Sequence, residues 1–188
     1  MEKINKKQNN KDLFNSIIIQ MEKLRDLNLE NLSKSLKDEK EQNIKTLINT
    51  FLQNGGDINA RLSNNTHNQN ATMLHVACLY GLTSIVQFLI DNGADINVQN
   101  AMGETPIMQS AFNIEILKLL INNKADISIK NKNNVSLLEN SINMYWVDAI
   151  KFIIKQYPDE KDKLSDKFKN RLKEVLDYSK KSSSVNLL

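Results

Sequence analysis

A single cysteine, Cys78, leaves the chain unable to form an internal disulfide, and nothing in its sulfur usage points to an oxidising compartment. A reduced, cytoplasmic setting is expected. Histidine is nearly as scarce: His67 has no cysteine, aspartate or second histidine at ligand spacing, and although Cys78 lies three residues after His75, two such residues alone make no metal-ligand set. The apolar run Ile17–Ile19 near the lysine-rich start is bounded by Ser16 and Gln20, too short for a signal segment or a membrane span. Phosphate loops, nucleophile elbows and zinc-protease helices are missing. No enzyme activity and no cofactor are therefore expected. Arginine is also rare. Of 25 basic residues only Arg25, Arg61 and Arg171 are arginine, and lysine without arginine clusters or interleaved aromatics is poor material for nucleic-acid readout.

What the chain does have is enough apolar mass, 40% of 188 residues, for one substantial core in a single folded unit. Its formal charge of +3 hides a division: basic ends flank an acidic body between residues 12 and 150. Abundant lysine, asparagine and isoleucine suggest an AT-rich genome and say little about chemistry.

The stretch Ala71–Gln99 reads as a complete two-helix unit. Thr72 caps a helix whose inward face is Leu74, Val76 and Ala77, and Gly81 allows the chain to turn back. Ile85, Val86, Phe88, Leu89 and Ile90 then recur at helical spacing, and Gly93 ends the second helix. The pattern returns elsewhere. GGDINA at 55–60 matches GADINV at 93–98, and Thr105–Pro106 follows Thr72 by 105 − 72 = 33 residues.

T-x-L-H-x-A at Thr72–Ala77, followed by NGADIN at Asn92–Asn97, resembles the ankyrin repeat, with its T-P-L-H-x-A motif and 33-residue period. The resemblance implies an all-α solenoid of about four helix-turn-helix units with short β-turn fingers and helical caps. The expected units are 29–61, 67–99, 100–130 and 131–157, the last recognisable mainly by register. Residues 1–11 are expected to be disordered, a capping helix to follow to residue 28, a second cap to cover 158–180, and 181–188 to form a flexible tail. Helices are expected at Thr72–Tyr80, Thr83–Asn92, Thr105–Phe112, Ile114–Asn122, Ser136–Asn143 and Val147–Gln156. Two residues are missing from the third unit after Phe112, which predicts a tighter turn or a shorter helix.

Within the resemblance Thr72, His75, Gly93, Asp95, Thr105 and Pro106 are structural motif residues. His75 is expected to hydrogen-bond finger backbone and threonine, and Asp95 to hold the turn into the finger. Leu89, Asp95 and Asn97 have the spacing of ankyrin asparagines hydroxylated in animal cells, but a turn asparagine is the simpler reading. Cys78, in a small-residue position, is expected to be buried and inert.

The family binds partners through fingers and exposed first-helix positions. By register these are Asn68, Gln69, Ala71, Leu79 and Tyr80, then Ala101, Met102, Glu104 and Phe112, then Lys132, Asn133, Val135, Asn143 and Met144. Leu79, Tyr80, Met102, Phe112 and Met144 are unusually apolar for such places, which marks an interaction surface. Tyr80 and Phe112 are expected to meet across the groove. The implied function is a monomeric, noncatalytic module that binds a protein partner on its concave face. Two further readings are weaker. One is anionic-membrane contact through the basic C-terminal helix; the other is export into a host cell as an effector, should the source be an intracellular bacterium.

Overall fold

The computed structural model describes residues 2–26, 33–62 and 70–185. Among them the elements are ten helices: α1 Glu2–Asp26, α2 Lys34–Gln53, α3 Met73–Leu79, α4 Thr83–Asp91, α5 Pro106–Ser110, α6 Ile114–Asn122, α7 Leu137–Asn143, α8 Val147–Gln156, α9 Asp159–Asp162 and α10 Asp166–Val185. Among the described residues extended pairing is confined to one antiparallel bridge between Arg61 and Thr72.

Helices stack in two layers. The inner layer runs α1, α3, α5, α7 and α10, each packed on the next, and the outer layer runs α2, α4, α6 and α8. Apolar residues at helical spacing from both layers meet in one continuous core, where Ile48, Leu74, Leu89, Ile116, Leu120 and Ile150 are fully buried. No unit could bury these faces alone, so the stack is the folding unit.

The N-terminal quarter divides differently from expectation. Residues 2–11, expected to be disordered, belong to α1, and α1 pairs with α2 as the first two-helix unit rather than serving as a separate cap. Its predicted stripe does the packing: Ile17, Met21 and Leu24 are buried, joined by Phe14 and Ile18. Leu36, assigned to a degenerate first helix, is an exposed residue of α2. Asn28, Leu29 and Leu32 lie outside the described residues, as do His67, Asn68 and Gln69.

The six remaining expected helices are present within two residues of their expected ends. The shortened third unit shows its deletion in α5, five residues long against seven for α3 and α7. In units two and four the turn between helices needs a left-handed residue, Gly81 at φ +70° and Tyr145 at φ +58°. The third unit omits it. Asn113 turns the chain and caps α6, its Oδ1 accepting from the N–H groups of Glu115 and Ile116 at 3.0 and 3.2 Å. At the other end Leu164, Leu172 and Val175 are buried, so the amphipathic stripe of the C-terminal segment closes the stack against α7 and α8. Helix α10 continues through residues 181–185, beyond the limit expected for it.

Candidate functional site

The fingers are built by asparagine. Asn100 Oδ1 accepts from the N–H groups of Met102 and Glu104 at 2.9 and 3.0 Å, and Asn131 Oδ1 does the same for Asn133 and Val135 at 3.0 Å each. Gly103 at φ +74° and Asn134 at φ +59° turn the two tips. Successive fingers touch through backbone, the Lys132 N–H donating to the Met102 carbonyl at 2.9 Å. A Cβ on Gly103 would lie 2.7 Å from the Lys132 nitrogen, so glycine is required there for contact as well as for φ. Arg61 and Gln99 add side-chain rungs, donating to the carbonyls of Gln99 and Lys130 at 2.9 and 3.1 Å.

Behind the fingers runs a second ladder. Asp57, Asp95 and Asp126 each accept from the N–H two residues on, at 2.8 to 2.9 Å. Asn59 and Asn97 then accept, at 2.8 Å each, from the N–H of the aspartate one unit later. Asp95 thus holds its turn, and Asn97 is a turn residue that ties unit two to unit three. Among the described residues no cluster of histidine, cysteine or acids is arranged to hold a metal ion.

His75 binds finger to helix. Its Nδ1 accepts from the Thr72 N–H at 3.2 Å and lies 3.0 Å from Thr72 Oγ1, while Nε2 donates to the Glu104 carbonyl at 3.0 Å. Both ring nitrogens are occupied, and burial lowers the imidazole pKa from 6.5 to about 4, so the ring is neutral. Cys78 is fully buried and burial pushes its thiol far above the usual range; it is an inert core residue. Neither is equipped for nucleophilic or acid–base work. In the third unit Met108 replaces the histidine and the buried Thr105 hydroxyl has no hydrogen-bond partner. In the fourth, Glu139 takes over, accepting from the Ser136 N–H at 2.8 Å.

Of the predicted contact residues, Met102, Glu104, Lys132 and Val135 sit on the two stacked fingers; Met102 and Lys132 point to solvent, and Glu104 and Val135 are half-buried. Leu79, Phe112 and Met144 form a second group where the inner helices end, exposed in three successive units, with Phe112 at 49% and Met144 at 56% of full exposure. Tyr80 departs from expectation. Its hydroxyl donates to Glu22 at 3.3 Å and its ring lies under the Arg25 guanidinium at 4.6 Å, so it faces α1. Phe112 instead meets Trp146, ring centroids 6.2 Å apart.

This regular stack, with its threonine-led helix starts and interlocked fingers, is what a family model described as ankyrin repeats (3 copies) captures over residues 7–131, well over half of the chain. The chain belongs to the ankyrin-repeat family. The match takes in most of α1, in keeping with the α1–α2 pair as the first unit. A curated relative, the ADP-ribosylation factor GTPase-activating protein AGD4 of Arabidopsis thaliana, is 33% identical over 78 residues. Those residues are 40% of this chain and 10% of AGD4, so the chain spans about a tenth of that protein's length. Ankyrin repeats are in general modules of protein–protein interaction, typically without catalysis.

Three residues of this ankyrin surface were not singled out from sequence as contact candidates. Tyr145, 52% exposed, occupies the position glycine holds in unit two; Trp146 follows it, partly buried against the core; the Arg171 guanidinium on α10 lies over the Tyr145 ring, 5.2 Å from its centroid. An aromatic residue where the repeat needs glycine was the available signal for Tyr145. Arg171 had none, because the meeting of α10 with α7 is a matter of packing. The opposite, outer face carries a groove of about 530 Å³ lined by Lys37, Glu41, Ser84, Gln87, Glu115 and Lys118 among others. Apart from Leu119 its lining residues are polar or charged, and its Glu41 carboxylate is already engaged by the Ser84 hydroxyl. Among the described residues no helix is long and apolar enough to cross a membrane.

Proposed function

We propose that this chain is a monomeric, noncatalytic scaffold that holds a protein partner along its inner face, between the fingers and the row formed by Leu79, Phe112 and Met144. The observation that carries the reading is the row itself: large apolar side chains stand exposed at the inner-helix ends of three successive units. Scattered exposed leucines need no explanation, but large apolar side chains exposed at the same end of three successive inner helices are what protein interfaces are made of. The polar outer groove offers no such anchor.

Site-specific photo-crosslinking tests this. A photoreactive residue at Met102 or Met144 should yield a protein adduct in lysate, whereas one at Lys118 on the outer face should not. Adducts from Lys118 alone would place the partner on the wrong side for this account. The membrane reading loses its main support, because Leu172 and Val175, the residues that would enter a bilayer, are buried at 4% and 1% exposure.

A further inference from the structure

The inner-face row is chemically asymmetric. At its N-terminal end Arg25 lies over Tyr80, but this cation is balanced: it pairs with Asp26, its Nε donating at 2.7 Å, and Glu22 receives the Tyr80 hydroxyl. At the C-terminal end Arg171 lies over Tyr145 with no such balance. The ion pairs among the described residues use Arg25, Lys37, Lys163 and Lys180, and Arg171 takes part in none. Its Nε is buried without a hydrogen-bond partner. Half-buried and held over the ring, this guanidinium has no carboxylate of its own, and an arginine in that state is suited to receive one from outside through its terminal N–H groups. Met144 and Tyr145 are half exposed beside it, and Trp146 joins them to Phe112.

We infer that the partner segment carries apolar side chains for Phe112 and Met144 and, beside them, an aspartate or glutamate side chain that pairs with Arg171. Charge complementarity selects an acidic over a neutral segment, and the balanced Glu22–Arg25–Asp26 group at the far end gives a second carboxylate no comparable site. The inference rests on the proposed partner surface and adds the chemistry of what occupies it.

The test uses the full chain and a phage-displayed library of random 12-residue peptides. Enriched peptides are synthesised with amidated C-termini, each beside a version with its acidic residues changed to Asn or Gln. Affinities are measured against wild type, Arg171→Gln and Met144→Ser. The expected result is an enriched acidic residue next to apolar ones, and at least tenfold weaker binding when it is neutralised. Arg171→Gln should weaken the acidic peptide by a similar factor and the neutral one hardly at all. Neutralising the peptide leaves the protein untouched, so that arm holds even if Arg171→Gln loosens the fold. Binding that is lost in Met144→Ser but indifferent to peptide charge overturns this inference and leaves the partner surface standing. Binding that survives Met144→Ser, or no enrichment over an unrelated protein, overturns both.

Discussion

His75 Nε2 donates to the carbonyl of Glu104, 29 residues on, across 3.0 Å, and so locks the start of one repeat to the finger of the next. That bond requires a neutral ring with its proton on Nε2. Between about pH 6.5 and about 4 the unfolded chain carries a proton on this histidine that the native ring lacks, so stability from this group falls as pH drops through that window and levels off below it.

The loss should reach roughly 3 kcal/mol by pH 4, two to three pK units at about 1.4 kcal/mol each. Carboxylates titrate nearby, so the control is His75→Gln, which keeps them. Urea unfolding at pH 7 and 4.5 should show a smaller pH dependence in the variant, together with about 1–3 kcal/mol lower stability at pH 7 from the Glu104 carbonyl that loses its donor. Equal pH dependence in both proteins would remove the histidine from the account.

Lys124 stands at φ +67°, in the position held by Gly55 at φ +79° and Gly93 at φ +83° in the preceding units. A side chain costs about 1 kcal/mol in that conformation, and Lys124 is exposed with little packing to lose. Lys124→Gly is therefore expected to raise the melting temperature by about 2–4 °C for a chain of this size. A lower melting temperature would mean that the lysine stem contributes more than its backbone costs.

The C-terminal closure rests on Leu172 and Val175. Leu172→Ala should cost about 2–5 kcal/mol in chemical unfolding, the usual loss for a buried leucine. Unchanged stability with reduced binding to anionic vesicles would restore the membrane reading of this helix.

Most of the repeat was legible because helix starts and turn glycines are local signals: Thr72, Thr105 and Ser136 all stand at the N-cap position, and the interval from Thr72 to Thr105 set the register. The first unit was misdivided because the pairing of α1 with α2 is visible only in their packing on each other. The row Leu79, Phe112 and Met144 was reached by register alone. The Tyr80–Phe112 pairing failed for a geometric reason. The two residues deleted from unit three align with Tyr80 and Gly81, so Phe112 corresponds to Leu79, and Tyr80 is free to turn toward Glu22 and Arg25. Arg171 was out of reach of any pattern, since its partner Tyr145 lies in another element.

The central claim is that the exposed row binds a protein and does not hold the fold together. The most direct measurement compares wild type with Phe112→Ser/Met144→Ser, by melting temperature and by affinity for a crosslinked partner once it is isolated. The expected result is a melting temperature within a few degrees of wild type and binding weakened by more than about 2 kcal/mol, the scale of an interface hot spot. A folded double variant that binds as wild type does would contradict it.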